Sequence, residues 1–186
     1  MKYNFKDFQR QAVIRFLALE KYNYIREELY KCDVSKDEIF QKRFNSFFRV
    51  RRNETWRKKF YKYFEKNKNN TNITFDIIVK DLLLETGNIE ASFSSKLLST
   101  INPNMPIWDQ YVLKNLGLEV EGKDKQERLD STIKVYNDII RIENDMLKQQ
   151  DVKEAVRELK EEFKEYNLSD IKALDYLLWN SRDDED

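Results

Sequence analysis

Helix breakers are so scarce in this chain, and so concentrated, that they dictate most of its architecture. Of 186 residues only three are glycine and two proline. Both prolines, Pro103 and Pro106, and two of the glycines, Gly87 and Gly117, fall between Gly87 and Leu118. Outside that stretch the backbone meets almost nothing that forbids a helix. With 40% hydrophobic and 37% charged residues the chain can fill a core and still clothe every helix in charge. The expected class is all-α: one domain over residues 1–180 with about eight or nine helices, and a frayed acidic tail over 181–186.

Hydrophobic periodicity places the helices. Phe5, Phe8, Ala12, Phe16, Leu19, Tyr22, Ile25 and Leu29 recur at three- and four-residue steps, which predicts a first helix from Phe5 to Tyr30. Ser35 with Glu38 has the form of a capping box ahead of Phe40, Phe44, Phe47 and Phe48. Asn53 is placed to cap a third helix carrying Trp56, Phe60, Tyr63 and Phe64. Phe75, Ile78, Val79, Leu82 and Leu83 give a fourth helix that Gly87 can close. Asn88 can cap a fifth bearing Ile89, Phe93, Leu97, Leu98 and Ile101, unless the serines at 92, 94 and 95 break it and restart it at Lys96. The Asn-Pro-Asn-Met-Pro run forces an extended turn, after which Trp108 to Leu116 reads as a short helix stopped by Gly117. Leu129, Ile133, Tyr136 and Ile140 mark a long helix, Val152 to Tyr166 another, and Ser169 caps a last one burying Ile171, Leu174 and Leu178.

Composition removes several kinds of chemistry. There is no histidine and one cysteine, Cys32, so an internal disulfide, a histidine-based triad and the usual zinc or iron–sulfur ligand sets are all excluded. No cofactor or metal is expected. No apolar run reaches the roughly 18 residues a membrane span requires, and the first residues lack a secretory signal's apolar core. A cytoplasmic protein is the expectation. The net charge of zero is a balance of unlike segments: between Gln41 and Lys68 eleven Lys and Arg stand against Glu54 and Glu65, whereas Glu119 to Asp186 holds twenty acids and twelve bases. Such a basic segment either meets a phosphate backbone or pairs with the acidic half of its own molecule.

Two isolated ionisable residues, Lys96 and Asp109, stand in the apolar stretch around the prolines. Ser92-Phe-Ser-Ser-Lys96, followed by Pro106-Ile-Trp-Asp109-Gln-Tyr-Val112 and Asn115-Leu-Gly-Leu118, resembles the Gly-x-Gly-x-Lys hairpin and the later Pro-Val-Asp and Leu-Gly elements of the helix-hairpin-helix DNA glycosylases. Ser92 and Ser94 replace the hairpin glycines, and Tyr111 stands where the family has histidine. The resemblance implies a glycosylase-like helical fold with DNA as partner. It casts Lys96 as the nucleophile of a base-excision N-glycosylase or AP lyase, and Asp109 as its electrostatic partner. Around them, Arg49, Arg51, Arg52, Trp56, Ser94, Ser95 and Trp108 are the candidate nucleic-acid contacts, the arginines as phosphate ligands whose joint replacement should leave the fold intact. Two other readings stay open: a non-catalytic nucleic-acid binder, and a helical protein-interaction module. For each candidate a plain structural role competes, Lys96 as a surface cation, Asp109 as a helix cap and Trp108 as a core aromatic.

Overall fold

The computed structural model describes residues 16–180. Among the described residues there is no strand; nine α-helices and one 3-10 turn account for the secondary structure. They are α1 (Phe16–Glu28), α2 (Glu38–Phe48), α3 (Glu54–Asn67), α4 (Phe75–Thr86), α5 (Ala91–Ile101), α6 (Gln110–Leu116), α7 (Lys125–Met146), α8 (Gln150–Glu162), the 3-10 turn Lys164–Tyr166, and α9 (Asp170–Asn180). The Phe5 end of the first helix and the acidic tail lie outside the described residues. The helices fall into two compact units, Leu17–Asn102 and the part from Pro103 onward. The division comes at the first proline, inside the stretch where the breakers gather.

The Leu17–Asn102 unit is built on aromatic rings. Phe40, Phe44 and Phe48 recur every four residues along α2 and are buried together with Trp56, Phe60, Tyr61, Tyr63 and Phe64 of α3. Phe44 alone meets Phe48, Phe60, Tyr61 and Phe64 with ring centroids 4.6–5.8 Å apart. Tilted and edge-on geometries dominate, as the ring quadrupole favours. Phe93 of α5 closes on Trp56 at 4.6 Å, and Tyr63 donates its hydroxyl to Asp81 of α4 at 2.9 Å.

Two caps differ from the sequence expectation. Asp37, not Ser35, caps α2, its carboxylate accepting the Phe40 amide at 2.7 Å. Ser35 is instead turned back, its amide and hydroxyl both donating to Asp33. An aspartate one residue from the first helical position outcompetes a serine farther out. Likewise α5 starts only after Glu90, without a side-chain cap, and runs unbroken through the serines. Those serines cost little because Ser95 donates back to the Ser92 carbonyl at 2.9 Å inside the helix. Asn53 and Gly87 act as expected: Asn53 accepts the Trp56 amide, and Gly87 ends α4 at φ 78°.

In the unit from Pro103 onward, α9 packs against α6, α7 and α8. The proline turn is pinned by side chains from two helices. Tyr136 of α7 donates to the Pro106 carbonyl at 2.8 Å, Ser169 to the Pro103 carbonyl at 2.5 Å, and the Ile107 amide donates to Asp175 of α9 at 3.2 Å. The buried stripe of α7 is Leu129, Thr132, Val135, Tyr136, Ile139, Glu143 and Met146, with Ile133 and Ile140 only half-buried. The helix expected to run to Tyr166 stops at Glu162, and Asn167 closes the 3-10 turn behind it at φ 45°.

Candidate nucleic-acid interface

The basic face of the Leu17–Asn102 unit is assembled at the turn between α2 and α3. Arg49 ends α2 in the left-handed conformation, φ 52°, and the next amide, Val50, bonds back to Asn45. Val50 is buried while Arg49 and Arg51 on either side are exposed, so the apolar residue anchors the turn and the arginines point to solvent. Asn53 then starts α3. That helix buries its aromatic residues on one side and exposes Lys58, Lys59, Lys62 and Lys66 on the other. Positions 58, 62 and 66 are one turn apart and lie above one another.

Arg52 is held from behind. Its guanidinium donates to Glu90 at 2.8 Å and lies over the rings of Trp56 and Phe93, 5.6 and 5.3 Å from their centroids. Glu90 is only 3% exposed, and its other oxygen accepts the Trp56 indole N–H at 2.9 Å. A buried carboxylate with a charged donor on one oxygen and a neutral donor on the other is well compensated. Periodicity could not have found Glu90, since an acid at a helix start ordinarily reads as a surface residue favouring the dipole. The expectation that all three arginines can be removed without harm to the fold therefore changes for Arg52, which pairs with an acid inside its own unit.

Lys96 lies in the same unit, half-buried on α5. Its ammonium donates to the Phe48 carbonyl at the end of α2, 3.1 Å away, and lies 5.2 Å from the Phe93 ring centroid. A cation at a helix C-terminus meets the unpaired carbonyls and the negative end of the dipole. Ser94 and Ser95 are fully buried, and Trp56 is 8% exposed.

Asp109 and Trp108 belong to the other unit. Asp109 caps α6, its carboxylate accepting the Tyr111 amide at 2.9 Å, and Trp108 is buried. Near Asp109 lies a group of ionisable side chains inside the core, which the sequence reading did not single out. Lys172 and Asp175 of α9 pair at 2.9 Å with side chains 5% and 6% exposed. Glu143 of α7 has no exposed surface, and neither carboxylate oxygen has a hydrogen-bond partner among the described residues. Burial, then the nearby Asp175 charge, holds the Glu143 carboxyl well above the usual carboxylate range, with Lys172 acting in the opposite sense. Burial also raises Asp175 against the pull of Lys172, and lifts the Tyr136 phenol. The sequence signal was present: Glu143 lies seven residues after Tyr136 on the buried stripe, where an apolar side chain belongs.

Among the described residues no cluster of acids and cysteine suits a metal ion, and no helix is long and apolar enough to cross a membrane. Comparison with family models, curated proteins and solved structures finds no match for this chain.

Proposed function

We propose that the protein binds nucleic acid through the α2–α3 turn and the outer face of α3, as a phosphate-backbone binder without catalytic chemistry. The observation that carries this reading is the arrangement of α3. Its aromatic side is consumed by the core, and its outer side presents Lys58, Lys59, Lys62 and Lys66 in continuation of Arg51. Among the described residues only part of that charge is answered: Lys58 pairs with Glu54, both well exposed, and Lys59 donates to the Glu85 carbonyl. Exposed pairs of this kind contribute little and exchange readily for phosphate. The rings that could stack on bases, Trp56 and Phe93, are packed against Phe60 and each other. That favours backbone contact over base readout.

The non-catalytic form is preferred over a lyase because the Lys96 ammonium is engaged with the Phe48 carbonyl. A Schiff-base nucleophile needs a free amine lone pair directed at substrate. Fluorescence anisotropy with labelled duplex and single-stranded oligonucleotides, repeated across salt, tests the binding. Affinity should fall steeply with salt, and Lys62→Gln with Lys66→Gln should flatten the log–log slope by roughly one unit per lost phosphate contact. A wild-type chain that shows no salt-dependent binding defeats the proposal. Borohydride reduction in the presence of abasic-site DNA tests the lyase alternative, and a covalent adduct lost in Lys96→Gln would establish it.

A further inference from the structure

Helix α7 carries one residue that its packing does not explain. Its buried stripe is otherwise apolar apart from Thr132 and Tyr136, and both of those hydroxyls are placed: Thr132 donates to the Arg128 carbonyl one turn back, and Tyr136 to the Pro106 carbonyl. Glu143 lies on the same stripe with no exposed surface and with both carboxylate oxygens unpartnered among the described residues. A buried polar group that satisfies nothing costs stability. An apolar side chain of similar volume would pack there without that cost, so the carboxyl calls for a role beyond packing.

What lies beside it is the device that holds the proline turn. Lys172 donates to one oxygen of Asp175, and the other oxygen accepts the Ile107 amide. Of the three side-chain contacts on this turn, the Ile107 bond is the longest at 3.2 Å, against 2.8 Å for Tyr136 and 2.5 Å for Ser169. It is also the one next to Trp108 and to Asp109, the cap of α6. Among the described residues, the charged and titratable groups around Glu143 are Lys172 and Asp175 of α9 and Tyr136 of its own helix, with Asp109 near Asp175. The residues that α6 and α8 bury are apolar: Val112 from the first, and Val152, Ala155, Val156 and Leu159 from the second. One ammonium therefore faces two acids. Protonated, Glu143 leaves the Lys172–Asp175 pair alone; ionised, it repels Asp175 and draws on the same ammonium.

We propose that Glu143 is a proton-operated latch on the proline turn: protonated, it leaves the Lys172–Asp175 pair in place to hold the Ile107 amide, and ionised, it pulls Lys172 away and frees that amide together with Trp108 and the start of α6. Only a proton moves, from the Glu143 carboxyl to water. Burial, followed by the Asp175 charge, keeps that carboxyl above the usual carboxylate range against the pull of Lys172. The turn is accordingly held at lower pH and released as pH rises through the raised value. The latch lies in the helices from Pro103 onward and operates whether or not the α3 face binds nucleic acid.

Fluorine NMR of the full chain labelled with 5-fluorotryptophan reads the turn at Trp108, a buried ring one residue from Ile107. The chain has three tryptophans, and Trp56→Phe and Trp179→Phe identify the Trp108 signal by elimination. Between roughly pH 5 and pH 9, the span that a buried glutamate reaches, the Trp108 signal should move or broaden while that of Trp56 stays fixed. Glu143→Gln keeps the shape without the ionisation and should hold the Trp108 signal at its low-pH position throughout. Asp175→Asn keeps an acceptor for the Ile107 amide but removes the like charge, so the midpoint should fall by about one pH unit or more. This second variant tests the latch even where the glutamine variant does not fold. A Trp108 signal that does not titrate, one that titrates unchanged in Glu143→Gln, or a midpoint unmoved by Asp175→Asn overturns the proposal. Trp108 and Trp56 signals that shift together do so as well, since the effect of pH would then be global.

Discussion

In residues 17–102 the buried carboxylate, Glu90, accepts hydrogen bonds from Arg52 and from the Trp56 indole. In the helices from Pro103 onward the buried Glu143 accepts none among the described residues, and its neighbours are a second carboxylate and one ammonium. The first unit supplies its buried carboxylate with donors. The second has two acids and one base in a low-dielectric core, so burial and the like charge of Asp175 push the Glu143 carboxyl well above the usual carboxylate range. The lesson concerns what each region is built to present. Glu90 fixes the arginine turn that feeds the basic face, while Glu143, Lys172 and Asp175 face inward and fix only the proline turn and the α7–α9 packing.

The largest test of this contrast removes the single cation. Lys172→Met leaves Asp175 buried without its partner and should lower unfolding free energy by about 3–5 kcal/mol, measured by urea denaturation at neutral pH. A loss under about 1 kcal/mol would mean that Asp175 is also neutral in the native state, and the pair would then resemble a simple hydrogen bond. In the other unit Glu90→Ala strands the Trp56 N–H and unties Arg52, at a cost of about 2–3 kcal/mol. Tryptophan emission should shift to the red as the ring over Phe60 gains water. If stability and emission both stay unchanged, Glu90 does not organise the arginine turn.

Glu143 has the opposite sign. Its folded carboxyl holds a proton to higher pH than the unfolded one, so between the two values the native state binds more protons and stability falls as pH rises. The decline starts at the ordinary glutamate value of about 4.5 and continues until the raised native value is passed. Glu143→Met removes the titrating group while keeping its volume. It should match or slightly exceed wild type at acid pH and gain about 1–2 kcal/mol at neutral pH. Parallel stability curves for the two proteins across that range would show that Glu143 is not the group responsible.

How much of this was legible without the structure follows the same division. The aromatic stripes of α2 and α3 recur at helical spacing, so their core was readable from Phe40, Phe44, Trp56 and Phe60. The all-helical class followed from the breakers in the same way, as did the stops at Gly87 and Gly117, where φ is positive. Glu90, Lys172 and Asp175 were not legible, because they are surface types whose burial depends on partners far along the chain, whereas Glu143 was marked by its place on the buried stripe of α7. Trp56 and Glu90 are 34 positions apart, and Ile107 and Asp175 are 68. The start of α5 escaped for a local reason, since Asn88 lies two residues before the cap position at Glu90, and its side-chain amide donates back to the Thr86 carbonyl. As for the candidate site, the Arg49–Arg52 turn was readable as a charge cluster, but not the division of labour by which Arg52, itself exposed, is tied to the buried Glu90.

Arg49 provides the finest test of what the first unit is built to present. Helices α4 and α6 end on glycine in the left-handed conformation, and the 3-10 turn ends on asparagine, which tolerates it. Only α2 among these ends on an arginine, at φ 52°, where a side chain with a Cβ costs about 1 kcal/mol relative to glycine. A cost of that kind, borne at the edge of the basic face, is expected where the side chain itself is wanted. Arg49→Gly should therefore raise unfolding free energy by about 0.5–1 kcal/mol while weakening oligonucleotide binding equally for all base sequences. Urea denaturation and anisotropy on the same preparation read the two effects together. A stabilised variant with unchanged affinity would remove Arg49 from the interface. An unstabilised one would show that the guanidinium's own contacts already repay the backbone.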